Sequence, residues 1–222
     1  MEPSGTSGAT SRKTAWAGIV FAVLYFAGVT MMLGPTPGDE HNDQPVKYAA
    51  DWSRVFADSG KRTQMLLGAY VLALACIAIV VFGSSLRDRL AGAGAATTGR
   101  LAFAGSIMFA TITLVGATAI AWIPGAKAFG SAPVAKGELA YLAPQLGFAL
   151  LLLGGGATAG FMLVAAGVGS ARSRAFPAWL GWAGVVIGVL VFLFGVFFMP
   201  MVLLLVWVLI AAIVSLRRPV TA

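Results

Sequence analysis

Between Arg174 and Arg217 the chain carries no charged side chain. Residues 175–216 read AFPAWLGWAGVVIGVLVFLFGVFFMPMVLLLVWVLIAAIVSL, a stretch of 42 residues. As one α-helix it would run ~63 Å at 1.5 Å per residue, near twice the ~30 Å hydrocarbon thickness of a bilayer. Tilt absorbs part of such a mismatch but not a factor of two. Pro200, which has no backbone N–H to donate, interrupts it. The segment is therefore expected to fold back as two spans, 178–197 and 200–216, with a tight turn at Phe198-Met199-Pro200-Met201.

The rest of the chain asks for the same solvent. Hydrophobic residues make up 59% of the 222 and charged residues only 10%, with a mean hydropathy of +0.90. A soluble domain carries roughly 25% charged residues. Further apolar runs cover 14–33, 63–85, 101–123 and 139–169. They are continuous rather than alternating, so they read as helices and not as barrel strands. The first run follows a Ser/Gly-rich start ending in Arg12-Lys13, which resembles a signal peptide. It is longer than a usual apolar signal region and lacks a small-x-small cleavage pattern, so it reads as a retained span. The expected fold is all-α: an integral membrane six-helix bundle over 14–217, between a disordered tail at 1–13 and a short tail at 218–222.

Charge placement tests the count of spans. With six spans and the amino terminus inside, the inner segments hold nine basic residues (Arg12, Lys13, Arg87, Arg89, Arg100, Arg172, Arg174, Arg217, Arg218) against Glu2 and Asp88. The outer segments hold six bases and six acids. The whole net charge of +7 thus falls on one side, as the positive-inside bias expects, with both termini cytoplasmic. The basicity implies contact with anionic headgroups at that face and not nucleic acid.

The longest expected outer segment, 34–62, has two parts. Its start, GPTPGDEHNDQP, is rich in turn formers and acids. From about residue 46 to 59, Tyr48, Ala49, Trp52, Val55 and Phe56 share one helical face, while Val46 and Ala50 fall off it. Opposite charges at Lys47/Asp51 and Arg54/Asp58 have the i,i+4 spacing that supports a helix. This helix is expected either to lie in the interface with its rings at headgroup depth or to cap the bundle.

Candidate chemistry is sparse. Proton relays and ion paths need ionisable groups at membrane depth, and the expected spans have none. The single histidine, His41, rules out a bis-histidine haem between helices, and the single cysteine, Cys76, rules out a dithiol pair. No nucleotide-phosphate loop is present. The expectation is a protein that is not an enzyme and needs no cofactor. Asp39, Glu40, His41 and Asp43 are the only cluster with metal-competent ligands, in a segment that reads more simply as solvated turns.

Gly154-Gly155-Gly156 interrupt the fourth run, where each glycine weakens a helix by up to ~1 kcal/mol against alanine. Two readings follow. A broken helix would expose backbone groups to a solute, with Gln145 and Thr158 nearby. Close packing would instead use Gly156-x-x-x-Gly160 and Gly184-x-x-x-Gly188, whose small-xxx-small spacing lets helices approach. Trp16, Trp122, Trp179, Trp182 and Trp207 lie mostly near span ends, as interface belts do. A weak echo at an offset of 79 residues matches Gly68, Leu72 and Leu74 to Gly147, Leu151 and Leu153, and Gly105 and Gly116 to Gly184 and Gly195.

The basic stop LRDRL after the second run and the Pro-x-Trp-Leu-Gly-Trp start of the fifth (Pro177 to Trp182) carry a family resemblance. The chain resembles bacterial multi-pass membrane proteins that carry a domain of unknown function. The resemblance implies topology and a place in the cytoplasmic membrane, and brings no catalytic residue, substrate or cofactor. The functional expectation is an interaction or accessory subunit of a membrane assembly, as a homo-oligomer or with a membrane-protein partner. The alternative is a small facilitator for a neutral or amphiphilic solute.

Overall fold

A computed structural model describes residues 7–38, 44–130, 137–195 and 197–217. Among them the chain is helical throughout, with no strand. Its elements are α1 (Ser7–Leu33), α2 (Pro45–Ala57), α3 (Ser59–Gly92), α4 (Ala96–Phe129), α5 (Glu138–Ala149), a π turn (Leu150–Gly154), α6 (Gly155–Ser173), α7 (Ala178–Phe194) and α8 (Phe198–Arg217). The π turn joins α5 to α6 as one continuous rod, Glu138–Ser173. Five helical segments are long and apolar enough to cross a membrane; α7, with 17 residues, is shorter.

The helices outrun the apolar stretches that called for them. α1 is helical from Ser7, through part of the segment expected to be disordered. α3 continues past Arg87-Asp88-Arg89 to Gly92, and α4 passes through Pro124 to Phe129. Charge marks where lipid ends; it does not end a helix. The hairpin in the charge-free segment turns earlier than expected: α7 stops at Phe194, and Phe197 N–H donates to Phe194 O at 2.9 Å. Pro200 therefore sits in the first turn of α8, where its missing donor leaves no intrahelical bond unmade.

Neighbours run antiparallel: α1 packs on α3, α3 on α4, α4 on α5 and α6, α6 on α7, α7 on α8, and α8 returns to α1. Small residues set these crossings. A Cβ added to Gly28 would lie 3.1 Å from Gly68 O, and one on Gly68 would lie 3.0 Å from Gly28 O. Gly116 and Gly147 repeat this reciprocal approach between α4 and α5. Two matches of the 79-residue echo, Gly68 with Gly147 and Leu72 with Leu151, lie at these contacts, although the glycines they face, Gly28 and Gly116, are not echo mates. Inside the ring, Phe21, Phe82, Phe109, Met162 and Trp207 are buried in dense contact.

The stripe on α2 is present and faces protein. Tyr48, Ala49, Trp52, Val55 and Phe56 are all buried, while Val46 is 86% exposed. Tyr48 meets Tyr141 edge-on at 5.7 Å and Trp52 lies 6.2 Å from Phe148, so the rings rest on α5. An interfacial anchor and a roof share one sequence pattern. Here α2 is the roof.

Candidate functional site

The glycine row of the fourth run does not break its helix. Backbone angles stay helical at Gly154 (φ −67°, ψ −44°) and Gly155 (φ −63°, ψ −44°), and the π turn accommodates the irregularity. A Cβ on Gly154 would lie 2.6 Å from Ile112 of α4, and one on Gly156 2.9 Å from Gly195 Cα. Gly160 and Gly188 approach each other's carbonyl oxygens at 2.6 and 2.9 Å by the same measure. Gly184 turns instead to α8, where the Trp207 indole occupies the space a side chain would need. Gly155 alone of the triplet has room, its nearest neighbours being 3.8 Å away.

The two polar residues expected beside a solute are not brought together. Thr158 Oγ1 donates to Gly154 O at 2.8 Å, closing a bond within its own helix. Gln145 is half-buried thirteen residues earlier on the same rod, about 20 Å away at 1.5 Å per residue. The candidate metal residues Asp39, Glu40, His41 and Asp43 lie outside the described residues.

Two features stand apart from this packing. The first is a cavity of about 150 Å³ between α1, the π turn and α8, lined by Tyr25, Val29, Leu33, Phe148, Leu151, Leu152 and Met201. It lies under the roof, because Phe148, one of its walls, carries Trp52. The roof is fastened at its end by Arg62, whose Nη1 donates to Phe56 O and Ala57 O, both at 2.7 Å. Nothing in the periodicity of the first run distinguished Tyr25. A lone phenol in an apolar span was the available signal.

The second is an open trough between α3 and α4. Ala69, Ala73, Ala117 and Ala121 line its first half, and Cys76, Ala110 and Thr111 its second, with Leu114 common to both. Tyr70 and Trp122, 62% and 55% exposed, flank one end. At the opposite end of α3, Arg89 is buried: its Nε donates to Ala175 O at 3.1 Å and its guanidinium lies 4.6 Å from the Phe176 ring centre. The basic stop is thus also a clamp on the α6–α7 connection.

Hydroxyls in the long helices are largely spent on their own backbone. Thr118 donates to Leu114 O, Ser106 to Phe103 O and Ser170 to Ala166 O. Thr113 Oγ1 and Trp52 Nε1 are the buried side-chain atoms without a partner among the described residues. No family model, no curated protein and no solved structure matches the chain.

Proposed function

We propose that the chain is a six-span protein of the bacterial cytoplasmic membrane, both termini cytoplasmic, that works as a non-enzymatic interaction or accessory subunit. The crossing beyond the five long helices is α7, which forms a hairpin with α8. α7 follows α6 from the Gly167–Gly181 contact to the Gly156–Gly195 contact, about 24 Å nearer the outer side than Arg172 by helical rise. α8 returns from there to Arg217. The parity of the termini holds whether the turn reaches the outer headgroups or stops a few ångströms short of them. The uneven charge distribution then orients the whole bundle.

The trough between α3 and α4 carries the interaction reading. Gly184 and Gly188, whose spacing offered a close helix approach, are used up within the chain. The trough is a small-residue surface left open along α3 and α4, floored by alanines and flanked by exposed aromatic residues. Its shape fits a transmembrane helix of a partner, since helices associate in lipid by close approach at small residues.

A photocrosslinking residue placed at Ala73 or Ala117 is expected to trap one partner of defined mass in native membranes, and Ala117→Trp to prevent its co-purification. The same residue at Val186, exposed on α7, serves as control. A monodisperse monomer after mild extraction, with no specific adduct from the trough, rejects this function. Reporter fusions at the two ends test topology separately. The second reading, a facilitator for a neutral solute, loses its broken helix and retains only the cavity beneath α2.

A further inference from the structure

Tyr25 stands midway along α1, 4% exposed, with its ring against Phe21 and Phe109. Its phenol forms one wall of the cavity under α2 and is the one polar side chain among the described residues that line it. The other walls are Val29, Leu33, Phe148, Leu151, Leu152 and Met201. A phenol in the wall of an otherwise apolar cavity offers an occupant a single hydrogen-bond donor.

The surroundings narrow the occupant by chemistry. Among the described residues no charged side chain lines the space, and burying an ion unpaired is prohibitive. An ordered water needs two to four polar partners, and the lining side chains offer one. A cavity of about 150 Å³ matches the size of one known to take benzene, below the ~300 Å³ at which whole drug-sized ligands are enclosed.

Access points the same way. α5 packs on α4 and α2 and not closely on α1 or α8, which leaves a seam along the cavity. Leu33, Phe148 and Leu152 at the walls are only half-buried. On the aqueous side, α2 roofs the space through the Trp52–Phe148 contact. We infer that the cavity binds the oxygen-bearing end of a neutral, lipid-soluble alcohol or ketone, which enters from the bilayer between α1, α5 and α8 and accepts a hydrogen bond from Tyr25. This rests on the cavity of the second reading and not on transport, so it is tested by binding alone.

Benzyl alcohol and ethylbenzene have nearly the same shape and differ by a hydroxyl in place of a methyl. Their binding to the full chain in nanodiscs is measured by saturation-transfer NMR, with empty nanodiscs subtracted. Saturable binding of benzyl alcohol is expected. Tyr25→Phe is expected to weaken benzyl alcohol about fivefold to tenfold, as one lost hydrogen bond does, and to leave ethylbenzene unchanged. Leu152→Trp fills the cavity and is expected to abolish both; Val29→Phe does the same from the opposite wall should the first variant misfold. No saturable binding to the wild type, equal loss of both probes in Tyr25→Phe, or undiminished binding in folded cavity-filled variants overturns the inference. Binding without flux leaves it standing and rejects the facilitator. Loss of the trough adduct rejects the accessory role and leaves this site untouched.

Discussion

The indole Nε1 of Trp207 donates to the carbonyl oxygen of Leu180 at 3.0 Å, tying α8 to α7 inside the core. The indole of Trp52 is as deeply enclosed, yet its Nε1 has no acceptor among the described residues. Replacing either tryptophan by phenylalanine removes similar apolar volume. At Trp207 it also removes a hydrogen bond worth ~1 kcal/mol, whereas at Trp52 it relieves an unpaired buried donor that costs ~1–3 kcal/mol. Trp207→Phe is therefore expected to be the more destabilising by about 2 kcal/mol or more, measured by reversible unfolding in mixed micelles. Equal losses would mean the Trp207 bond is not formed.

The glycine triplet separates packing from helix propensity within three consecutive positions. Gly156→Ala drives a methyl into the Gly195 backbone and is expected to cost ~1–3 kcal/mol, as overpacking does. Gly155→Ala meets only ordinary contacts and gains up to ~1 kcal/mol of helix propensity, so it is expected to be neutral or stabilising. The thermal midpoints of the two variants in detergent check this. A stabilised Gly156→Ala would show that α6 and α7 do not approach as closely as described.

These two positions also show how far the sequence could be read. The spacing of Gly156 and Gly160 announced a close helix approach, and Gly188 was legible as a residue of the same kind. That Gly160 meets Gly188, while Gly184 takes the Trp207 ring, was not legible, because small-xxx-small spacing says nothing about which neighbour arrives. The α2 stripe was readable residue by residue, yet the lipid or protein it faces was not: tryptophan and tyrosine suit a headgroup layer and a roof equally. The ends of α3 and α4 were not legible from the span bounds 63–85 and 101–123, because charges report the edge of the oil and the backbone hydrogen bonds continue beyond it. Tyr25 carried no periodic signal. Its setting is made by α1, the π turn and α8 together, elements far apart along the chain.

Arg87 and Arg89 are two residues apart and differ in environment. Arg87 is half-buried, pairing with exposed Asp88 at 3.0 Å and lying 5.1 Å from the Phe103 ring centre, and a surface pair or exposed cation–π contact of this kind contributes ~0–1 kcal/mol. Arg89 is 8% exposed, with its hydrogen bond to Ala175 O and the Phe176 ring over its guanidinium. Arg89→Met is expected to cost ~2–3 kcal/mol, in keeping with a charge-assisted bond and a desolvated cation–π contact. Arg89→Lys should recover little, since an ammonium has neither the planar fork nor the ring-stacking face. Arg87→Ala should stay within about 1 kcal/mol. Comparable losses at the two sites in unfolding measurements would remove the clamp on the α6–α7 connection.

Acid should loosen the start of α3 before it touches the spans. Asp58 is the N-cap of α3, its Oδ1 accepting from Lys61 N–H at 3.0 Å. That hydrogen bond, with help from Gly60 N–H and the nearby Lys61 and Arg62 charges, outweighs the opposing effect of desolvation and holds the Asp58 carboxyl below the usual aspartate range. A depressed folded-state value means that the ionised cap stabilises the fold above the unfolded aspartate pKa of ~3.9, and that this contribution is lost as pH falls through the folded value. Hydrogen-exchange protection factors at 59–63 are therefore expected to drop below about pH 4 in the wild type. Protection around Leu72 and Ile79, buried in the middle of α3, should hold. Asp58→Asn keeps a capping side chain without a titratable proton, so its protection at these positions should show no acid step. If that variant loses protection over the same pH range, another group governs the junction of α2 and α3, and the cap is not its switch.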